Sequence, residues 1–291
     1  MDLWADFREI IIDRLKQTRA ACDFNADTTT LCLQYFQLYD KLFVSQYFYE
    51  VKFSKELTNK MNIYSTDTIK AIADIKSKLE KGSDISGYLS KRIRTVQQRD
   101  FLLRNWNIYH VHVNKPLLVG QKHVAGSDQL LFFTCKEDVV YFIDVLPHPR
   151  GATWFNRELL EIIYVNWPHL LKITELSNVS PAFTDTKITR NMESMFIYVT
   201  LKDGAVVEPT TGGVASSGDS NRAVQRLDYC LRKLKGWEAW LKEKENYIVS
   251  GFEQQKNIKI TRPLDFELVI EDGFFVAYNR HYQIKIRMDD I

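Results

Sequence analysis

Glycine and proline are scarce in this chain, at twelve and seven of 291 residues, which argues against long disordered tails. Cysteine is scarcer still. Cys22, Cys32, Cys135 and Cys230 form no CxxC pair, which speaks against a zinc ribbon. Two of them sit in apolar segments, as expected of buried thiols in a reducing compartment, so a cytoplasmic location is expected. A net charge of only +2 carries no global signature of polyanion binding. No apolar run reaches the roughly 18 residues of a membrane span, and the N-terminal MDLWADFREIIIDRL mixes acids into its apolar residues, unlike a secretory leader. No membrane partner is expected. HExxH, GxSxG, the Walker Lys-Ser/Thr and GxGxxG are all missing, which argues against common zinc peptidases, α/β-hydrolases, P-loop nucleotide binders and dinucleotide folds. No cofactor is expected.

What is present is ordinary globular material, 45% hydrophobic and 26% charged, with aromatics at 13%. Trp4, Phe7, Ile10, Ile11 and Leu15 fall at helical spacing. STDTIKAIADIKSKLEKGSD has a Ser65 or Thr66 cap, Asp67 in its first turn and Gly82 at its end. Residues 1-84 therefore read as a helical N-terminal region. The period then changes to two. IYHVHV alternates, and QLLFFTCKEDVVYFIDVLPH reads as strand, turn at Lys136-Glu137-Asp138, and strand. WFNRELLEIIYVNWPHLLKIT returns to helix, interrupted by Pro168. Residues 85-180 form a central region around a histidine-rich strand. Residues 181-291 hold two hairpins, turning at Asp203-Gly204 and Asp272-Gly273, and a long helix from about Asn221. The expected class is α+β, with small antiparallel sheets flanked by helices.

The densest chemistry lies in LLRNWNIYHVHV, Leu102 to Val113. On a strand, His110 and His112 project to one face, about 6–7 Å apart from the strand rise. His148, which closes a neighbouring strand, is the natural third member. Such a set suits paired acid and base groups, or metal ligation with Asp144 as a further donor, or hydrogen-bonded core histidines beside Trp106. Trp106 and Tyr109 are candidates for base stacking, or else core. From Lys81 to His123, eight basic residues face only Asp84 and Asp100. Arg92, Arg94 and Arg99 are therefore candidates for a phosphate-binding rim, against the alternative of a solvated helix face. The segment EPTTGGVASSGDSNRAV places Gly212, Gly213 and Ser217 just before a helix start, an arrangement that favours an anion, but the reading preferred from the sequence is a flexible connection.

Two resemblances bear on these residues. Arg104-Asn105, followed by His110, resembles the RNxxxH pattern of HEPN ribonucleases, which implies metal-independent RNA cleavage with the histidine as acid or base and the arginine on the phosphorane. The departure is that His110 enters a strand. SGYLSK, RDFLLRNWNIYHVHV, LLFFTCKEDVVYFIDVLPH and LLEIIYVNWPHLL together, from Ser86 to Leu171, resemble a little-characterised set of bacterial and mobile-element proteins with a Trp-x-Ile-x-His-x-His core. That likeness bears on the layout of the site. The function expected is a ribonuclease-like toxin or phage-defence effector acting on RNA. His110, His112 and Arg104 would be catalytic, Tyr109 or His148 would orient the substrate, and an antitoxin or phage protein would be a partner. The alternative is a protein-binding sensor or inhibitor without enzymatic activity.

Overall fold

The computed structural model describes residues 1–42, 47–96, 100–126, 128–148, 155–174 and 198–288, and the chain is α+β. Its contacts gather into two compact units, Met1–Phe36 with Gln225–Ile291, and Gln37–Val224. This grouping differs from three consecutive regions at 1-84, 85-180 and 181-291. Changes of hydrophobic period mark changes of element type, whereas a unit is defined by what packs on what, and here the two ends of the chain pack together.

The first unit contains α1 (Leu3–Gln17), whose Leu3, Phe7, Ile11, Ile12 and Leu15 form the buried stripe. It also holds most of α7 (Asn221–Lys256) and the meander β8 (Glu267–Glu271), β9 (Phe274–Asn279) and β10 (Ile284–Arg287). Phe275 lies between Phe7 and Trp237, at ring distances of 6.1 and 5.7 Å. Asp272 and Gly273 both have positive φ, 51° and 85°. A two-residue hairpin that follows the strand twist requires that geometry, so the Asp-Gly pair is explained.

The second unit is built on a four-stranded sheet of order β1-β4-β3-β2. β2 spans Ile108–His112, β3 Gln129–Lys136 and β4 Val139–Pro147, and they pair antiparallel. β1 (Glu50–Phe53) pairs with β4 in parallel, so the N-terminal region carries a strand as well as helices. One sheet face, with Val111, Leu131, Phe133 and Phe142, packs on Leu57 of α3 (Lys55–Lys60) and on Ile72, Ile75 and Leu79 of α4 (Thr66–Glu80). The opposite face, with Ile108, Leu130, Phe132 and Ile143, packs on Leu159, Ile162 and Ile163 of α6 (Arg157–Asn166). Ser65 caps α4, accepting from the Thr68 amide at 3.1 Å, as its sequence requires. A smaller sheet joins β5 (Lys172–Thr174), β7 (Val206–Glu208) and β6 (Val199–Thr200) in that order. Because β2 is the outer strand of the main sheet, the histidine-rich segment lies at an edge, where side chains can border a cleft.

Candidate active site

The histidines are positioned by a short helix that stops abruptly. α5 (Phe101–Trp106) begins at Asp100, whose carboxylate accepts from the Leu103 amide at 3.0 Å. It ends at Asn107, held in the left-handed region at φ 56°. Asparagine tolerates that conformation better than most residues, and it turns the chain straight into β2. Along β2, Ile108, Tyr109 and Val111 are buried while His110 and His112 are half-buried.

His110, His112 and His148 line one cavity of about 300 Å³. His148 follows the end of β4, and its ring stacks on His112 at 6.2 Å between centroids, tilted by 11°. Its backbone amide donates to the Asp128 carbonyl at 2.7 Å. The His110 ring packs 6.0 Å from Phe132, and its Nδ1 lies 3.7 Å from Asp100 Oδ2. That distance is too long for a hydrogen bond and short enough for an ion pair once the imidazole carries a proton. Asp100 therefore both caps α5 and faces His110.

Lys41 and Ser90 also line this cavity, and sequence reasoning singled out neither of them. Lys41 sits in the last turn of α2 (Thr28–Leu42), is only 5% exposed, and donates to the Thr95 carbonyl at 3.1 Å. Burial, and after it the charge of Arg104, brings its ammonium down to about 8, against the opposing pull of Asp100. Tyr109 borders the same cavity although it packs into the other face of β2, stacked on Phe133 at 5.2 Å. Burial raises its phenol, so it stays a neutral hydrogen-bond donor across the working pH range. Leu89, Ile93 and Phe101 to Leu103 supply an apolar wall.

Other expected members lie elsewhere. Arg104 is 7% exposed; its guanidinium donates to the Gly218 carbonyl at 2.7 Å and to Gln37 Oε1, and the residue does not line the histidine cavity. It anchors the Gly/Ser loop. Trp106 is 2% exposed, packs 5.2 Å from Phe155 and does not line the histidine cavity. Arg94 is half-buried at the end of a 3-10 turn over Lys91–Arg94 and does not line the cavity. Arg99 and the side chain of Arg92 lie outside the described residues. Asp144, weighed as a metal donor, is fully buried and bound by Lys60 Nζ at 2.5 Å. Among the described residues no group of three or more His, Cys, Asp or Glu is placed to hold a metal ion.

The Gly/Ser segment is tightly hydrogen-bonded rather than a loose connection. Gly212, Gly213 and Gly218 take positive φ of 82°, 74° and 79°, where glycine meets no Cβ penalty. Asn221 Nδ2 donates to the Gly212 carbonyl at 2.5 Å, the Asn221 amide to the Gly213 carbonyl at 3.0 Å, and Ser217 to Asp219 Oδ2 at 2.8 Å. These residues border no part of the histidine cavity.

Among the described residues no helix is long and apolar enough to cross a membrane. No family model, no curated protein and no solved structure matches this chain.

Proposed function

We propose that the β2-edge cavity is an acid–base site that cleaves RNA by attack of the 2′-hydroxyl on its own phosphodiester. The observation that carries this reading is the convergence of three imidazoles, one carboxylate and one buried lysine on a single cavity of about 300 Å³. A strand of RNA needs three services at the scissile phosphate. A base takes the 2′-hydroxyl proton, an acid protonates the departing 5′-oxygen, and a cation stabilises the charge on the phosphorane. His110 is the base, because the Asp100 carboxylate lies where it stabilises the imidazolium formed on proton uptake. The stacked His112–His148 pair supplies the acid. The cation is Lys41 rather than Arg104, since Arg104 is spent on the Gly218 carbonyl and Gln37. The 2′-oxygen bonds to phosphorus, the bond from phosphorus to the 5′-oxygen breaks, and the products are a 2′,3′-cyclic phosphate and a 5′-hydroxyl. No metal enters this scheme. The apolar wall of Leu89, Ile93 and Phe101 suits one unstacked base, the usual way single strands are read. The role inferred from the resemblance is that of a toxin or phage-defence effector, with an antitoxin or phage protein as its partner.

A second reading, a protein-binding sensor or inhibitor, draws on one observation. Tyr47 and Phe48, 69% and 75% exposed, precede β1 at the opposite edge of the main sheet. The two readings part on a simple comparison. Purified protein incubated in EDTA with single-stranded RNA, and with DNA of the same sequence, is expected to cut the RNA and leave the DNA whole, because only RNA carries the attacking 2′-hydroxyl. Cleavage of neither would favour the binding module, and cleavage of both would rule out the 2′-hydroxyl route.

A further inference from the structure

A second cavity in the same unit, about 330 Å³, borders the far end of β3. Its lining includes Lys136 at the end of β3, His169 in the 3-10 turn after α6, Lys172 opening β5 and Arg222 in the first turn of α7. Four separate elements thus deliver four basic side chains to one concavity, and among the described residues its lining includes no aspartate or glutamate. Thr210 and Thr211 complete the same wall.

Arg222 is held in place before any ligand arrives. Asn107 Oδ1 accepts from both of its terminal nitrogens, at 3.3 and 3.2 Å, and Asn107 is itself fixed by donating Nδ2 to the Cys135 carbonyl at 2.9 Å. A guanidinium has more N–H groups than those two contacts use. Its facing carboxylate, Asp40, stands 3.8 Å away, a long ion pair. Lys172 pairs with Glu208, which lies outside the lining, at 2.7 Å, and that lysine side chain is 66% exposed. An exposed lysine exchanges one carboxylate for a more highly charged anion at little cost. Lys136 is exposed and makes one long contact, 3.4 Å, to the His169 carbonyl.

We infer that this cavity is a binding site for a phosphate-bearing anion, with Arg222 as its fixed anchor and Lys136, Lys172 and His169 as its outer contacts. A planar, preorganised guanidinium with exposed ammonium groups around it matches the oxygens of a phosphate or pyrophosphate. Among the described residues the site shares no lining residue with the histidine cavity, so it does not depend on the ribonuclease reading. The phosphate has two sources with the same chemistry: a flanking phosphate of a bound strand, or a free small phosphate compound.

The test uses the full chain and inorganic pyrophosphate, followed by NMR of the histidine rings. Saturable shifts are expected at His169, with binding weakened at least tenfold in Lys136→Glu/Lys172→Glu and unchanged in His110→Ala. Both lysines are exposed, so the double variant keeps its fold, which its unfolding midpoint verifies. Raised KM for RNA with unchanged kcat in that variant would assign the site to a flanking phosphate. Unchanged RNA kinetics with lost pyrophosphate binding would assign it to a free ligand. Absence of saturable shifts at His169, or equal binding by the double variant, would overturn the inference.

Discussion

Replacing His110 by alanine is expected to lower RNA cleavage by roughly 10²–10⁴-fold, the usual cost of removing one general acid or base. The loss should appear in kcat, with little change in strand affinity, because the imidazole acts on the proton rather than on the phosphate charge. His110 is half-buried against Phe132, so alanine leaves a gap beside that ring. His110→Asn, closer in volume, separates chemistry from packing. Both variants should be inactive, and the asparagine variant should unfold close to the wild-type midpoint in urea. An asparagine variant retaining activity within a few-fold of wild type would remove His110 from the mechanism.

The second large effect concerns Lys41, and it runs in opposite directions for activity and stability. Lys41→Met keeps the length and apolar contacts of the side chain and deletes its charge. Cleavage should fall by about 10²–10³-fold, the scale of losing one preorganised stabiliser of transition-state charge. Stability should hold or rise. In the folded protein the Lys41 ammonium sits at about 8, below its usual value of 10.5. Between those two pH values the unfolded chain binds more protons than the folded one, so this group makes stability rise with pH from about 8 to about 10.5. Below about 8 its full burial cost is present, on the order of 3 kcal/mol from the pKa difference. Urea midpoints measured from pH 7 to 10 should climb for wild type relative to Lys41→Met. Parallel curves for the two proteins would mean that Lys41 is not held in a depressed state.

Much of the fold was legible because its signals are local. IYHVHV alternates with period two, QLLFFTCKEDVVYFIDVLPH is two short apolar runs around a tight turn, and they form β2, β3 and β4. Asp272-Gly273 and the Ser65 cap work through contacts within a few residues. β1 was not legible. Glu50–Phe53 lies in a run of aromatics that also fits helical spacing, and it becomes a strand through parallel pairing with β4, nearly ninety residues away. The candidate site divides along the same line. His110 and His112 could be paired from the sequence because a strand puts alternate residues on one face. Lys41 could not be found, since a lysine in an amphipathic helix reads as solvated until tertiary packing buries it. Arg104 was misleading for the converse reason: its place in an RNxxxH-like motif suggested the cation, while its long-range partners Gly218 and Gln37 give it an anchoring task. Asp100 carried a signal that could have been used, as an N-cap aspartate before FLLRNW, but its approach to His110 depends on the turn at Asn107.

The central claim, that the β2-edge cavity performs acid–base cleavage through the 2′-hydroxyl, is tested most directly by the ends of the product. A short single-stranded RNA treated with the purified protein in EDTA and analysed by mass spectrometry should yield fragments ending in 2′,3′-cyclic phosphate and beginning with 5′-hydroxyl. Fragments beginning with 5′-phosphate, or an RNA left intact at high enzyme concentration, would contradict it.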